Sequence, residues 1–130
     1  MASIFTRIIL GEIPSYKIFE NDKFLAFLDV FPLVEGHTLV IPKLEVNDIF
    51  DLEPTLYAEL FAFAQEVGLV IRNTIPCKRV GIAVIGLEVP HAHIHLVPLQ
   101  SVDDINFTRT KLQPSHDELL STQEKIKAGF

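Results

Sequence analysis

The chain of 130 residues has a single cysteine, no tryptophan and no excess of basic residues. One thiol, that of Cys77, excludes an internal disulfide framework and a zinc site built from several thiolates. Eleven Lys and Arg residues stand against seventeen Asp and Glu, which gives a formal net charge of −6. Nonspecific attachment to the backbone of a nucleic acid is therefore not expected.

Long apolar runs are also absent. No stretch of the sequence is apolar enough for the core of a signal peptide or for a membrane-spanning helix. We therefore expect a cytoplasmic location and no membrane partner. The hydrophobic share of 48% is nevertheless sufficient for one globular core, and the length suits one domain.

The order of apolar patterns and turn residues predicts an α+β domain. Helices are expected over residues 3–10, 55–72 and 115–127, and strands over residues 16–22, 24–31, 37–42, 81–87 and 91–99. The long helix has apolar residues at helical spacing, and Pro54 suits its first turn. Because most of the strands are joined by short turns, we expect a five-stranded antiparallel sheet with the long helix packed on it and short flanking helices.

Three of the five histidines occupy alternate positions in the segment His91-Ala92-His93-Ile94-His95. Side chains alternate across a strand, so these three would share one face. A lone histidine is usually a hydrogen-bonded structural residue, but burial of three together costs free energy unless each is paired. The pattern indicates a functional site.

A metal site is one interpretation of this cluster, because three histidines can hold a catalytic zinc ion. On one strand, however, His91 and His95 would lie about 13 Å apart, which is too far for both to coordinate one ion. A metal would need two of the three histidines together with His37 or a carboxylate. His37 itself is equally consistent with a surface residue at the end of a turn.

Nucleophilic catalysis is the second interpretation. A neutral imidazole attacks phosphorus or carbon without first losing a proton. His93 has a histidine on each side and is the natural nucleophile, while its neighbours would present N–H groups to phosphate oxygens. The acidic chain suits a small anionic substrate better than a polymer.

Two long segments support a family assignment. SIFTRIILGEIPSYKIFENDKFLAFLDVFPLVEGHTLVIPK and HAHIHLVPL resemble the histidine triad (HIT) family, in particular its Hint branch, and the resemblance covers most of residues 3–100. It implies a HIT-like fold, with a HIT domain over residues 1–107 and a C-terminal extension over 108–130. It also implies a homodimer, for which the region of Ala64, Val67 and Leu69 is a candidate interface.

The resemblance further implies a metal-independent nucleotidyl hydrolase that needs no cofactor and acts on a small nucleotide substrate. His93 would attack the α-phosphorus of a nucleoside phosphoramidate or a related derivative, and water would release the nucleotide from His93. By the same resemblance, His95 would contact the phosphate, His91 would support the site, and His37 would help to orient the nucleophile. Asp29 would accept hydrogen bonds from the ribose hydroxyls. The positions that match the apolar walls around the base are Ile4, Phe5, Ile8, Phe27 and Val30.

The segment before the triad departs from the family pattern. It reads Gly-Leu-Glu-Val-Pro over residues 86–90, where relatives often carry polar groups that contact phosphate. A carboxylate at Glu88 would repel a phosphate by about 4 kcal/mol for unit charges at 4 Å and an effective dielectric of 20. Glu88 therefore points away, contacts and protonates the leaving group, or belongs to a site with an unusual substrate. A nucleotide-binding protein without catalysis and, less readily, a metal-dependent hydrolase remain alternatives.

A second departure concerns a structural zinc ion that many bacterial relatives carry. The matching positions here are Ser3, Thr6, Glu45 and His91. Two hydroxyls and a carboxylate are poor replacements for the ligands that such a site needs. We therefore expect no structural metal.

Overall fold

The computed structural model describes residues 2–130. In chain order, its helices and strands are α1 (Ile4–Ile9), β1 (Lys17–Glu20), β2 (Phe24–Leu28), β3 (Thr38–Pro42), α2 (Pro54–Thr74), β4 (Arg79–Ala83), β5 (Ile94–Leu99) and α3 (His116–Lys127), with short 3₁₀ turns at Ile49–Asp51 and Val102–Ile105. The five strands form one antiparallel sheet in the order β1-β2-β3-β5-β4. The predicted fold, a five-stranded antiparallel sheet with a long helix packed on it, is confirmed.

Both faces of the central strands are covered. All five residues of β2 and all five of β3 are buried, which explains their nearly continuous apolar sequence. The side chains of Leu60, Phe63 and Val67 on α2 belong to the main core on one face. A smaller apolar cluster lies on the other face and consists of Phe5, Ile8, Leu25, Phe27, Leu39 and Ile41. Since Leu39 is the cross-strand partner of His95, this second face carries the histidines.

Several predicted boundaries are wrong by a few residues. The strand expected over 91–99 begins only at Ile94, because the Ala92 N–H donates to the Val46 carbonyl instead of continuing the ladder. The strand expected over 81–87 lies at Arg79–Ala83 and ends where Ala83 pairs with His95. The strand expected over 24–31 ends at Leu28.

The long helix does not offer the dimer interface suggested by the sequence. Ala64 and Val67 are 1% and 0% exposed because they pack into the core of their own chain. Leu69 alone of the three is exposed. Apolar residues at helical spacing mark a buried face, and here the sheet covers that face.

The C-terminal helix α3 packs on the same core. It begins with a capping box in which Ser115 and Glu118 bond each other's backbone N–H groups. Leu119 and Ile126 are buried in the main core, and Gln123 donates a hydrogen bond to the carbonyl of Lys17 on β1. Within residues 2–130, no helix combines the length and hydropathy that crossing a bilayer requires.

Candidate active site

His93 is held one residue before β5 with one ring nitrogen bonded and the other open. Its Nδ1 lies 2.7 Å from the carbonyl oxygen of His91. A carbonyl only accepts, so Nδ1 carries the proton and Nε2 carries the lone pair. Burial lowers the pKa of His93, which keeps the ring neutral at pH 7. His93 therefore presents a neutral nucleophilic nitrogen.

His95 receives its orientation from a relay that starts at a backbone amide. The Leu33 N–H donates to His37 Nδ1 at 3.0 Å, so the proton of neutral His37 must lie on Nε2. This Nε2–H faces His95 Nδ1 at 3.0 Å. His95 consequently holds its own proton on Nε2, where it can donate to a substrate oxygen.

The open nitrogens of His93 and His95 reach the surface. Within residues 2–130, Ser15 Oγ is the only buried side-chain nitrogen or oxygen without a hydrogen-bond partner. In the described part of the chain, the hydrogen bonds of His93 and His95 use only their Nδ1 atoms. Their Nε2 atoms are not among the buried atoms without a partner, so solvent reaches them. The two rings lie close together, with centroids 4.9 Å apart. A nucleophile and a hydrogen-bond donor thus face the same space.

Burial keeps the relay neutral. It lowers the pKa of His37 to about 4 and that of His95 to about 3. For His95, the neighbouring His37 and His93 contribute to this low value after burial. Both rings lose their protons well below pH 7, so the order of donors and acceptors persists through the neutral range.

A glycine fixes where His37 enters the sheet. Gly36 has a φ angle of 92°, a left-handed conformation that favours glycine. A Cβ at this position would also lie 3.1 Å from a side-chain carbon of Pro98 and 3.2 Å from one of Ile75. His37 follows directly and is 1% exposed, so it is a buried member of the relay and not a surface residue.

His91 joins the site through its carbonyl, because its ring is fully engaged elsewhere. The ring nitrogens lie 2.8 Å from the Pro42 carbonyl and 2.8 Å from Ser3 Oγ. Glu45 completes the arrangement by accepting hydrogen bonds from the Ser3 N–H and the Thr6 hydroxyl. This cluster holds the ring of His91, and the carbonyl of His91 in turn orients His93.

Asp29 lies beside the relay at the end of β2. Its Oδ1 accepts from the Phe31 N–H, and its Oδ2 lies 3.7 Å from His37 Nε2. This contact is not an ion pair at pH 7, since His37 is neutral. Burial raises the pKa of Asp29, and the negative charge of Glu88 adds to the increase.

The apolar residues expected around a base divide into two groups. Phe5, Ile8 and Phe27 form part of the second cluster, and the ring of Phe5 lies 5.1 Å from that of His93. Ile4 and Val30 are exposed. Of the residues expected to contact the base, three are therefore buried next to His93 and two are open to solvent.

Glu88 is exposed in the loop that follows β4. Its negative charge reaches the site, because it raises the pKa of both His93 and Asp29. The contact of Glu88 with a leaving group, expected from the sequence, stays a prediction.

Two site residues from the C-terminal segment were missed by sequence reasoning. The ring of Phe107 lies 4.7 Å from that of His95 and 6.0 Å from that of His37, so it covers the relay. The ammonium of Lys111 lowers the pKa of Asp29 and of His37. Neither residue belongs to a periodic pattern or a motif, so no local signal marked them.

Comparisons with known proteins agree with this fold. The HIT domain profile matches residues 10–102. An uncharacterized HIT-like protein from Borreliella burgdorferi is 34% identical over 113 residues, which cover 82% of this chain and 81% of that one. The chain belongs to the HIT family.

Two solved structures show the same architecture. A hypothetical histidine triad nucleotide-binding protein from Sulfolobus tokodaii is 26% identical, with a TM-score of 0.82, and the match covers 96% of this chain and 89% of that one. A Zn-bound histidine triad family protein from Mycobacterium smegmatis is 28% identical, also with a TM-score of 0.82, and covers 99% and 93% of the two chains. The alignment extends over nearly the full length in both cases.

Two candidate metal sets lie within residues 2–130, and neither offers a full set of free donors. Asp29, His37 and His95 offer ligand atoms within 4.8 Å of one another. The Leu33 N–H, however, occupies one nitrogen of His37 and leaves the proton on the other, which a metal would have to displace. At Ser3, Thr6, Glu45 and His91, two of the four groups are hydroxyls, and all four are already hydrogen-bonded to one another. These residues do not fit a zinc ion.

Proposed function

We propose that this protein is a nucleotide-binding hydrolase that cleaves nucleoside phosphoramidates or related derivatives at the α-phosphorus. The main support for this proposal is the hydrogen bond from His93 Nδ1–H to the His91 carbonyl. It leaves the Nε2 atom of His93 unprotonated and open, beside the Nε2–H donor of His95. This combination suits displacement at a phosphorus atom.

The reaction proceeds in two displacements. His93 Nε2 attacks the α-phosphorus, the phosphorus–nitrogen bond to the leaving group breaks, and the departing amine takes up a proton from solvent water. Glu88 is the candidate contact for this amine. The Nε2–H of His95 donates to a non-bridging oxygen as negative charge develops there. Water then attacks phosphorus and releases a proton to solvent, the bond to His93 breaks, and a nucleoside monophosphate leaves with His93 neutral again.

The nucleotide would lie across the histidine face. An acceptor-only carboxylate such as that of Asp29 suits two ribose hydroxyls, and Asp29 lies beside the relay at the edge of this face. The base would contact the apolar group of Phe5, Ile8 and Phe27, with Ile4 and Val30 at the opening.

Turnover of adenosine phosphoramidate tests this proposal. Release of adenosine monophosphate that persists in the presence of a chelator supports a metal-independent hydrolase. Loss of activity on chelation supports the metal-dependent alternative. Because Glu88 brings negative charge to the phosphate region, a nucleotide-binding protein without catalysis is the second candidate. Binding of the monophosphate without any turnover would establish that candidate and overturn the proposed reaction.

The pH dependence of kcat/KM should reflect the depressed pKa of His93. An ordinary histidine protonates near pH 6.5, but burial lowers the pKa here, so the neutral nucleophile persists to more acidic pH. We expect the acid limb of the profile to lie below pH 6.5. The rate of the His93→Ala variant, measured at each pH, gives the uncatalysed background. An acid limb above pH 6.5 would show that a different group controls the rate.

We further propose that the protein forms a homodimer through the edge strand β4. Among residues 2–130 this strand pairs only with β5, so its outer row of backbone groups has no strand partner there. Ile82, Val84 and Ile85, on or just after β4, are between 39% and 56% exposed. An exposed apolar edge is a template for further strand pairing. A second copy of the same strand, related by a twofold axis, would cover it symmetrically.

Lysine substitutions at this edge should separate the subunits. We expect the double variant Ile82→Lys, Val84→Lys to sediment as a monomer, because lysine on an edge strand opposes pairing. Leu69→Lys on α2 is the matched control and should keep the mass of the wild type. A wild type that is monomeric at all concentrations would contradict the dimer. Dissociation caused by Leu69→Lys alone would place the interface on α2.

A further inference from the structure

The segment between β5 and α3 is fastened beside the histidine relay. We call residues 106–112 the tail loop. The Leu112 N–H donates to the Pro32 carbonyl at 2.9 Å, and Arg109 Nη2 donates to the Leu33 carbonyl at 2.7 Å. Leu33 is also the residue whose N–H fixes the tautomer of His37. The tail loop is therefore attached to the start of the relay.

Lys111 is the basic residue that this loop brings to the site. Its Nζ donates to the Phe107 carbonyl at 2.6 Å, and the ring of Phe107 packs on His95. The side chain is partly buried. Within residues 2–130, the ion pairs closer than 4.0 Å do not include Lys111. Its charge is thus held in place and is not neutralised by a carboxylate in direct contact.

The charges around the site show what this lysine can do. Glu88 is the carboxylate whose charge acts on His93 and on Asp29, and Asp29 is itself a member of the site. His37 and His95 are neutral at pH 7. Lys111 is the only lysine or arginine of residues 2–130 whose charge acts on Asp29, His37 or His95. The bond of Lys111 Nζ to the Phe107 carbonyl and the packing of the Phe107 ring on His95 place this positive charge on the His95 side of the site, whereas the charge of Glu88 acts on His93 and Asp29.

We propose that Lys111 is a phosphate-binding residue, whose ammonium group binds the phosphate of the nucleotide and offsets the negative charge of Glu88. The tail loop is then part of the binding site. This inference rests on the proposed function, since it assigns a recognition role within the same site. An ammonium is a strongly hydrated point charge with three donors, and it suits the oxygens of a phosphate.

Calorimetric titration with adenosine monophosphate and with adenosine tests the assignment. Lys111→Gln removes the charge but keeps a donor for the Phe107 carbonyl. We expect Lys111→Gln to weaken binding of the monophosphate by about tenfold or more, the scale of a lost charged hydrogen bond, and to leave adenosine binding within about twofold of the wild type. Lys111→Arg should restore most of the loss. Lys127→Gln, at an exposed position of α3, changes the net charge equally and should bind both ligands as the wild type does.

The outcomes distinguish this inference from the proposed function. If the wild type cleaves adenosine phosphoramidate and Lys111→Gln binds the monophosphate as tightly as the wild type, the role of Lys111 is wrong while the hydrolase stands. If the wild type shows no turnover, the hydrolase proposal fails, and the two titrations still decide whether Lys111 binds the phosphate. Equal losses for the monophosphate and adenosine would show that Lys111 only supports the loop. A wild type that binds neither ligand would overturn both proposals.

Discussion

Replacing His93 with alanine is expected to lower the turnover of a nucleoside phosphoramidate by at least about 10⁴-fold, the scale seen when a hydrolase loses its nucleophile. The reason is that the His91 carbonyl holds the proton of His93 on Nδ1. The lone pair of Nε2 is therefore free to attack, beside the ring of His95. Binding of the nucleoside monophosphate should survive, because Asp29 and the apolar wall remain. Steady-state release of the monophosphate measures the loss.

The matched control for this substitution is His116→Ala. His116 is the one histidine outside the cluster, at the start of α3, where its ring bonds the Tyr16 hydroxyl. We expect this variant to turn over substrate at the rate of the wild type. Turnover by His93→Ala within about tenfold of the wild type would contradict a nucleophilic role, since such a loss corresponds to only about 1.4 kcal/mol of barrier.

Replacing His95 with phenylalanine is expected to lower kcat by about 10²–10³-fold, the cost of one missing donor to a developing oxyanion. The relay from Leu33 through His37 gives His95 its Nε2–H, and phenylalanine keeps the ring that packs on Phe107 but has no donor. The nucleophile stays in place, so the covalent intermediate should still form, only more slowly. Single-turnover kinetics measure this step.

His95→Gln provides the comparison, because its amide can donate to phosphate. We expect it to recover part of the rate that the phenylalanine variant loses. If both variants lose kcat equally, His95 acts through packing or through His37 and not as a donor. If neither loses activity, the proposed stabilisation of the phosphate oxygens is wrong.

Local patterns were sufficient to predict the architecture. The helical spacing of Leu60 and Val67, the nearly continuous apolar residues 24–28 and the turn residues between strands each reflect burial along one element. Short connections then favour antiparallel neighbours, which the sheet has. The alternation of His93 and His95 in the sequence likewise pointed to the two rings that the structure places 4.9 Å apart.

Long-range contacts determine what the sequence could not show. The ring of His91 turns to Ser3 and Pro42, which are 88 and 49 residues away along the chain. These bonds remove it from the strand and from direct donation to a phosphate. Phe107 and Lys111 reach the site only because the tail loop is fastened to the turn before β3. No periodicity reports such contacts.

The interface region predicted on α2 illustrates a different limit. An apolar helix face such as that of Ala64 and Val67 has the same pattern whether its own sheet or a second chain covers it. The fold decides between the two, since the sheet of the same chain buries these residues. It also leaves β4 at the edge, a position that the strand's own sequence does not encode.

The most direct measurement is mass spectrometry of the wild type mixed with adenosine phosphoramidate and quenched at alkaline pH, where a phosphorus–nitrogen bond to histidine survives. We predict one added adenylyl group per chain, located on His93 in the peptide that spans residues 91–95, and none on the His93→Ala variant. An adenylyl group on another residue, or rapid release of the monophosphate with no adduct at any time point, would contradict attack by His93.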